Sequence, residues 1–487
     1  MLEMEKNNIQ APTPFSFGVV SLQQVVKNKS RLDASAYNIE VMKALKKIKA
    51  NKYGYTTLYG KNGLINTADY PGRYKRIYVS EKCGTPFFLP SQLDEILPRP
   101  TKYVSPITVK ELGDDFIKDS NLLLSRSGTI GKSTISSKTI IGKLFSDDVI
   151  RVTFKNEYDL GYVYAYLKSP SGLTILQGNI YGSVIDHIEP EHLNDIPIPN
   201  APQKERERIH NLIKESFNLR DKSNGLIEAA QKDLYRELDL SDISSLSPMQ
   251  YKNNAGFNNY SVKLSKTDLR LDGSYHVPIV KEIIEKISER ADYVAFLGDE
   301  SISESIILPG RFKRIYVDKE HGIPFFGGKQ LLSLSPSNLK YLSKLFHGER
   351  IKEELFLKEN MCAVSCSGTI GKVMIIPKHW EGWAMNQHVI RIVPKSKEVA
   401  GYIYAWVDSQ YCRPLIDRYI YGSNVDEIDD NQISKVPIPI IKDKQLFKEI
   451  NDKVLNANNL RYDAYLKEQE ALEIMENIIE SCSSPST

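Results

Sequence analysis

The sequence contains few of the residues that mark disulfide-bonded and metal-binding proteins. Only five of its 487 residues are cysteine and eight are histidine. An odd number of cysteines does not suit a disulfide framework, and no histidine spacing matches a metal-binding signature. Cys362 and Cys366 form a lone C-x-x-x-C pair with no second pair to complete a zinc site. We therefore expect no metal site in this chain, and reduced thiols in a cytoplasmic setting.

Long apolar stretches and a strong net charge are also missing. No apolar run approaches the ~20 residues that cross a bilayer, and the opening segment MLEMEKNNIQAPTP has no apolar signal core. We therefore expect no membrane partner. The net charge is only +3, which neither requires nor excludes nucleic acid, because an acidic face can offset a basic one. The length is enough for two to four domains, each with its own core.

The segment SGTIGK is similar to the phosphate loop of nucleotide hydrolases, but it lacks residues that such a loop needs. That loop reads G-x-x-x-x-G-K-[ST], and its glycines let backbone N–H groups surround the phosphates. Arg126 stands where the first glycine belongs. The segment returns at Ser367–Lys372, where Val373 replaces the hydroxyl residue that would hold Mg²⁺. We interpret it as a repeated turn or binding element between two strands, and not as a nucleotide site.

Many other short segments also occur twice, in the same order and at a constant spacing. PGRYKRIYV returns as PGRFKRIYV, RLDASAY as RLDGSYH, GYVYAY as GYIYAW and IPIP as VPIP, while IYGS is repeated unchanged. Pro309 lies 238 positions after Pro71, and Gly401 lies 240 positions after Gly161. The chain is therefore a tandem duplication of one large unit, and the period is far too long for a solenoid.

Each unit is predicted to contain short strands followed by one long helix. Runs such as RYKRIYV, NLLLS and DVIRVTF have the composition and the boundaries of strands. GYVYAY predicts a short helix, and I-P-I-P predicts an extended backbone. Apolar residues then recur about every 3.5 to 3.6 positions, which indicates a helix with one apolar stripe. These residues are Ile209, Leu212, Ile213, Phe217, Leu226, Ile227, Ala230 and Leu234 in the first unit, and Ile450, Val454, Ala457, Leu460, Ala464, Ala471, Ile474 and Ile478 in the second.

These patterns predict an α+β fold, in which a mixed α/β unit followed by a long helix is duplicated. Each helix would be ~55 Å long at ~1.5 Å per residue. An isolated helix with one apolar stripe needs a partner, so we expect the two to pair as an antiparallel coiled coil that holds the units ~55 Å apart. The predicted divisions are 1–201 for the first unit, 202–240 for its helix, 241–261 for a polar linker, 262–441 for the second unit and 442–480 for its helix.

The order of these motifs resembles the specificity subunits of type I restriction-modification systems. The motifs RLD…Y, G-x-P-F, SGTIGK and Y-G-S, and the helix start Gln203-Lys204-Glu205-Arg206, carry the resemblance over roughly residues 15–480. The second helix starts with IKDKQLFKEI, which is a weaker form of the family pattern. The resemblance implies two target-recognition domains, two spacer helices and no catalytic residue. It also implies that double-stranded DNA is bound, with two modification methyltransferase subunits per chain and restriction or translocase subunits as further partners.

Catalytic signatures are missing, in agreement with this expectation. The chain has no N-P-P-Y or D-P-P-Y segment for adenine methylation, no F-x-G-x-G segment, no P-D…E-x-K nuclease cluster and no complete helicase signature. We therefore expect the chain to bind no cofactor, with S-adenosylmethionine held by the partner subunits. The copies differ strongly between their shared motifs, so the two half-sites should differ and the bipartite target should not be a palindrome.

Candidate DNA contacts fall into two classes, those that position the backbone and those that read bases. Basic residues of the R-[YF]-K-R-I-Y segments are predicted to neutralise phosphates: Arg73, Lys75, Arg76, Arg311, Lys313 and Arg314. Alternation along a strand would place Arg73 and Lys75 on one face and Arg76 on the other. Further backbone contacts are predicted from the glycine turns and the Y-G-S motifs: Ser127, Lys132, Ser367, Lys372, Tyr181, Ser183, Tyr421 and Ser423. The alternatives are a solvated basic strand, an ordinary hairpin and buried tyrosines.

Base reading is expected where the two copies differ. Arg126 corresponds to Cys366, and Asp147 and Asp148 correspond to Gln387 and His388. Aspartate accepts a hydrogen bond from cytosine, glutamine pairs with adenine and arginine pairs with guanine. The alternative is that these are variable surface residues that contact nothing.

Three other functions remain open at this point. The chain could be the DNA-recognition module of another methylation-based phage-defence system, which the sequence does not distinguish. A self-contained nuclease or methyltransferase is disfavoured by the missing catalytic signatures. An interaction scaffold without a DNA role would be excluded by salt-sensitive DNA binding of the reconstituted complex.

Overall fold

The computed structural model describes most of the chain as two units that contain matching elements. The described residues are 19–27, 37–113, 115–128, 130–178, 187–240, 243, 246, 261–267 and 269–481. Most of the predicted 241–261 linker lies outside the described residues, as do Tyr181 and Ser183.

The described residues of the first unit form nine strands, and the unit ends in a long helix. Its strands are β1 Tyr55–Thr57, β2 Ile65–Asp69, β3 Thr85–Phe88, β4 Lys102–Val104, β5 Leu122–Ser125, β6 Ser133–Ile135, β7 Leu144–Phe145, β8 Val149–Phe154 and β9 Pro197–Pro199. Its helices are α1 Leu22–Lys27, α2 Ile39–Lys49, α3 Pro106–Leu112, α4 Asp159–Lys168, α5 Pro170–Gly178 and α6 Gln203–Glu237.

Among its described residues, the second unit repeats this order with one additional short strand, and each unit contains six α-helices. Its strands are β10 Tyr293–Phe296, β11 Ser303–Ile307, β12 Tyr316–Val317, β13 Gly322–Phe326, β14 Lys340–Ser343, β15 Cys362–Ser365, β16 Val373–Ile375, β17 Ala384–Met385, β18 Val389–Pro394 and β19 Pro437–Ile440. Its helices are α7 Pro278–Arg290, α8 Lys344–Arg350, α9 Lys397–Val407, α10 Cys412–Asp417, α11 Asp430–Ser434 and α12 Lys444–Glu480.

The sheets of the two units have the same topology, which confirms the duplication. The order β2-β8-β5-β6 in the first unit becomes β11-β18-β15-β16 in the second. The order β4-β3-β7 becomes β14-β13-β17, with β12 added at the edge, and in each unit the last pair is parallel. The pair β1-β9 becomes β10-β19. Both SGTIGK segments are hairpin turns, because Leu124 pairs with Ser133 and Val364 with Val373.

The repeated GYVYAY and I-P-I-P motifs pack against each other. The hydroxyl of Tyr162 on α4 donates to the Pro199 carbonyl at 2.8 Å, and that of Tyr402 on α9 donates to the Pro439 carbonyl at 2.7 Å. Gly161 lies so close to α6 that a Cβ atom would approach the Cα of His210 to 2.5 Å. The GYVYAY motif therefore provides a glycine that packs closely on the long helix and a tyrosine hydroxyl that binds the extended I-P-I-P strand.

The two long helices pack antiparallel along their lengths, as predicted. Arg208 pairs with Glu470 at 2.9 Å, the Ser216 hydroxyl donates to the Ala464 carbonyl at 2.7 Å, and Lys453 pairs with Asp233 at 2.5 Å. As the residue number rises along α6, that of its partner on α12 falls. The predicted apolar stripes are buried, apart from three half-buried positions. Those positions are Leu226, Leu460 and Ile474.

One core lies towards each end of this helix pair. The first unit packs on Ile209 and Phe217 of α6 and on Ile478 of α12. The second unit packs on Leu234 of α6 and on Ile450 of α12. Each unit therefore uses the start of its own long helix and the end of the other one.

The expectation that the helices alone hold the units ~55 Å apart needs a correction, because the units touch directly. The N–H of Ile96 in the first unit donates to the carbonyl of Leu332 in the second at 2.9 Å. Ile96 is buried among apolar residues of the second unit. Short local motifs did not reveal this contact, because it joins loops that are far apart in sequence.

Candidate nucleic-acid interface

The basic segments follow the same path in both units, but they are not the strands that were predicted. Residues 71–77 and 309–315 lie outside any strand. Side chains of α3 and α8 replace the missing ladder partner. The Ile77 N–H donates to the Thr108 hydroxyl, and the Ile315 N–H donates to His347 Nε2, both at 3.1 Å. The segments are therefore fixed by side-chain hydrogen bonds, while four of their six basic side chains, Arg73, Lys75, Arg311 and Lys313, are exposed.

Exposure divides the basic residues into two groups. The outward-facing group consists of Arg73, Lys75, Arg311 and Lys313. Arg76 and Arg314 are half-buried and turn towards the interior of each unit. This division agrees with the predicted alternation, although the backbone is not a strand. The exposed group is the one that suits phosphate contacts.

The structure brings a predicted phosphate contact and a predicted base reader together in each unit. Arg76 forms an ion pair with Asp147. The corresponding Arg314 donates to the Gln387 side-chain oxygen at 2.7 Å. Asp147 is 8% exposed, so its carboxylate is committed to Arg76. The two units therefore hold the same arginine against different polar partners.

Arg126 is held by carboxylates in the first unit. Its guanidinium donates to Glu189 at 2.5 and 3.2 Å, lies 3.6 Å from Asp148 and stacks over the Tyr70 ring at 4.2 Å. Ser127 pairs with His187 in an isolated bridge beside it. The corresponding Cys366 is buried, and burial raises the pKa of its thiol to about 12. A charged group in one unit thus replaces a neutral one in the other.

His388 and the Y-G-S hairpin lie on the same side of the second unit. Burial, together with Arg314 and Arg311, lowers the pKa of His388. Its Nε2 atom lies 3.2 Å from the Gln387 amide nitrogen. Tyr421 is 44% exposed, and Ser423 is exposed too.

Glu427 connects this hairpin with the basic segment and the glycine turn. Its backbone pairs with that of Tyr421 and, in a separate bridge, with that of Ser367. Its carboxylate lies 3.5 Å from Arg311, whose side chain is 82% exposed. Glu427 therefore connects three predicted contacts of the second unit, Arg311, Ser367 and Tyr421.

The glycine-turn lysines lie elsewhere, at the junction of the units. Lys132 pairs with Asp94 at 2.6 Å and donates to the Ser91 carbonyl at 2.9 Å. Lys372 pairs with Glu95 at 2.9 Å. Both ammonium groups are thus neutralised within the chain, and a phosphate contact would have to replace these carboxylates.

Exposed apolar side chains beside the basic segments were missed by the sequence reasoning. Ile107 on α3 is 69% exposed, and the corresponding Leu345 on α8 is 86% exposed. Tyr78 and Tyr316 are also exposed at corresponding positions, each beneath a lysine ammonium at 5.0 and 4.9 Å. The repeat offset of 238 positions could have identified both pairs. Their common exposure gives each unit an outer surface with basic, aromatic and aliphatic groups.

Comparison with known families identifies part of the chain. Residues 318–460 match the family model described as the type I restriction modification DNA specificity domain. Over these residues the chain is similar to a type I restriction-modification specificity domain. The predicted resemblance is thereby confirmed. The first unit contains the sheets of the second unit in the same order.

Solved structures with low identity cover most of the chain. The S subunit of a type I restriction-modification system from M. genitalium is 12% identical, with a TM-score of 0.28, and the match covers 89% of this chain and 100% of that one. The HsdS subunit from Thermoanaerobacter tengcongensis is 11% identical, with a TM-score of 0.26 and coverage of 87% and 99%. These scores are too low to support an argument about geometry. No curated protein matches.

Two further findings concern membrane spans and metal sites in the described part of the chain. None of the helices in this part of the chain is both long and apolar enough to cross a bilayer. Within the same residues, no three His, Cys, Asp or Glu side chains are grouped so that they could hold a metal ion.

Proposed function

We propose that this chain selects a bipartite, asymmetric DNA target for a type I restriction-modification complex. The first unit would bind one half-site and the second unit the other. The exposed basic residues would contact phosphates, and the half-buried polar residues Asp148, Gln387 and His388 would face the bases. The chain would perform no chemistry itself.

One observation carries the proposal: the same polar site is built twice with different residues at its centre. Arg76 with Asp147 in the first unit becomes Arg314 with Gln387 in the second. Arg126 becomes Cys366. The two units share the same framework but carry different polar residues at the centre of the site. Such units suit two different half-sites, because base recognition depends on the pattern of hydrogen-bond donors and acceptors.

The aliphatic residues beside the basic segments belong to the same proposed surface. Ile107 and Leu345 project from short helices that are fixed to those segments. An exposed aliphatic side chain can contact a thymine methyl group or insert at a base step. We therefore include both residues among the proposed DNA contacts.

The proposed partner subunits would supply the catalytic activities that we do not expect of this chain. Two modification methyltransferase subunits would dock on each chain and supply S-adenosylmethionine, and restriction subunits would bind to the assembled complex. The repeated arrangement of a unit on the antiparallel helix pair offers two similar docking positions, which supports a count of two.

Mapping methylated adenines in a host that expresses this chain with its neighbouring genes would test the proposal. We expect one sequence made of two unlike half-sites separated by unread bases. A palindromic target, or methylation that persists without this chain, would contradict it. Turnover by the purified chain alone, with DNA, Mg²⁺, ATP and labelled S-adenosylmethionine, would instead favour an enzyme.

A further inference from the structure

A loop of the first unit reaches across to the second unit. This bridging loop, residues 89–101, connects β3 to β4. Glu95 pairs with Ser333 in an isolated antiparallel bridge, and Ile96 is 7% exposed in a cluster that includes Phe326 and Leu331. The Ile96 carbonyl also accepts a hydrogen bond from Asn224 on α6 at 2.8 Å. The loop therefore contacts the second unit and the helix pair at once.

The bridging loop meets its own counterpart, residues 327–339 of the second unit. Ser333 lies 238 positions after Glu95, which is the offset that separates Pro309 from Pro71. When a residue touches its own equivalent, the contact lies near the axis that relates the two copies. The junction is therefore at the centre of the pseudo-symmetric arrangement.

Both loops are braced internally by the same side chain. The Gln92 amide donates to the Arg99 carbonyl, and the Gln330 amide donates to the Ser337 carbonyl, each at 2.7 Å. Gln92 is 6% exposed, so its hydrogen bond is protected from water. Because these hydrogen bonds hold each loop in one conformation, contacts between the loops can hold one unit in a fixed position relative to the other.

The bridging loop carries charged residues that the facing loop lacks. Glu95 pairs with Lys372 at 2.9 Å, and Arg99 pairs with Asp408 at 2.5 Å, so two ion pairs cross between the units. The residues that correspond to Asp94 and Glu95 in the second unit are Leu332 and Ser333, which carry no charge. The bridging loop therefore provides two carboxylates that have no charged counterpart in the facing loop.

We infer that the bridging loop fixes the position of the two units relative to each other, and so helps to determine the number of base pairs between the half-sites. Each unit packs on the helix pair, the second unit from the start of α12 as far as Glu468, which accepts a hydrogen bond from Ser335. The junction adds a second point of attachment. This inference rests on the proposed function for its DNA consequence, but its structural part concerns the chain alone.

Spin-label distances in the full-length chain test the structural part. Nitroxides would be introduced at exposed Lys110 and Glu349 through genetically encoded residues, because thiol labelling would also modify exposed Cys83. We expect Glu95→Lys to broaden the distance distribution at least twofold, since it places two cations together. Glu95→Lys with Lys372→Glu should restore the narrow distribution. Glu320→Gln, at an exposed position away from the junction, is the matched control.

Methylation of a library with different spacer lengths tests the DNA consequence. The reconstituted complex would be given sites with the native spacer and with one base pair more or less. For Glu95→Gln and for Arg99→Glu we expect the preference for the native spacer to fall at least tenfold, with both half-sites unchanged. The mild Glu95→Gln variant keeps the test valid if a charge reversal impairs folding.

The outcomes separate the inference from the proposed function. A narrow distance distribution in Glu95→Lys would overturn the structural part. Broadened distances together with an unchanged spacer preference would overturn the DNA consequence. If the wild-type complex methylates no bipartite site, the proposed function fails, whereas the distance measurements still decide whether the junction holds the units.

Discussion

At the scale of single residues, the neighbours of a basic side chain decide how much it can contribute to DNA binding. Arg73 is exposed, and no ion-pair partner for it occurs among the described residues. Lys132 is 17% exposed and paired with Asp94 at 2.6 Å. A cation that already has a carboxylate partner releases fewer counterions from DNA, because its charge is neutralised beforehand.

Arg73→Ala should therefore weaken DNA binding about equally on all sequences and lower the salt slope by ~1. Lys132→Ala should change the slope by much less. Binding of the reconstituted complex would be measured by fluorescence anisotropy over a range of salt concentrations, with Lys118→Ala, at an exposed position on another loop, as a control. Equal slope changes for Arg73 and Lys132 would show that Lys132 leaves Asp94 when DNA binds.

Protonation of the buried His379 ring should make the stability of the chain depend on pH. Burial lowers its pKa to about 4, and its ring stacks on Tyr465 at 3.9 Å. Because this pKa lies below the ordinary value, the unfolded chain binds the proton more readily, and stability falls as pH drops from about 6.5 to 4. The loss is at most roughly 3–4 kcal/mol, since one pKa unit corresponds to about 1.4 kcal/mol.

His379→Phe should keep the stacked ring and remove most of this pH dependence. Urea unfolding between pH 4 and 7 would measure it. His321→Phe is the control, because Asp318 raises the pKa of this exposed ring and its effect therefore lies at higher pH. If His379→Phe retained the full slope, the proton uptake would belong to other groups.

Comparing the two copies predicted which polar positions would matter, but not all of their partners. Arg76 and Asp147 were both chosen from the sequence, and the structure joins them. The pairing of Lys372 with Glu95 was not predictable, because it links residues of different units through tertiary packing. Local patterns show which residues are polar, whereas the fold decides which of them meet.

At the scale of elements, periodic segments were predicted well and non-periodic ones less so. The first long helix was expected at 202–240 and runs over Gln203–Glu237. Its apolar stripe is a property of the sequence itself, so the prediction needed no tertiary information. RYKRIYV has strand composition, but its first residues lie outside any strand. There the Thr108 hydroxyl takes the place of a neighbouring strand.

A buried ion pair makes Glu468 important for the helix pair. Although burial opposes its ionisation, Arg220, Lys168, Ser335 and Tyr164 together lower the pKa of Glu468 to about 2. Arg220 lies 3.0 Å from its carboxylate, and the Tyr164 hydroxyl donates to it at 2.6 Å. The carboxylate thus connects α12 to α6 and to α4 of the first unit.

Glu468→Gln should destabilise the chain by about 3–5 kcal/mol, because it leaves the Arg220 charge buried without a partner. The free energy of unfolding from guanidinium titration would measure this. Glu470→Gln is the matched control, since Glu470 forms an exposed pair with Arg208 and such pairs contribute about 0–1 kcal/mol. Similar losses for both variants would mean that Arg220 finds another partner or water.

At the scale of the whole molecule, duplication suggests modular target choice, and the junction limits that modularity. Each unit has its own sheets and its own short helix that packs on the I-P-I-P strand. These features should let one unit be exchanged without a change in the other. The bridging loop, however, depends on residues of the second unit, including Lys372 and Asp408.

Two chimeras separate these effects. In the first, a related second unit would replace residues 262–440, with Leu332, Lys372 and Asp408 retained as partners of the bridging loop. In the second chimera, positions 332, 372 and 408 would carry the residues of the related protein that donates the unit. Both should change one half of the methylated sequence and leave the other intact, because the first unit is the same.

The spacer should differ between the two chimeras. Since the first keeps the ion pairs that cross the junction, it should keep the native number of unread bases. The second places unmatched charges beside Glu95 and Arg99, so its units should lose their fixed position and accept spacers that are one base pair longer or shorter. Mapping methylated adenines in hosts that carry each chimera would measure this. If either exchange altered both half-sites, the units would read DNA jointly, and neither modular choice nor a separate role for the junction would survive.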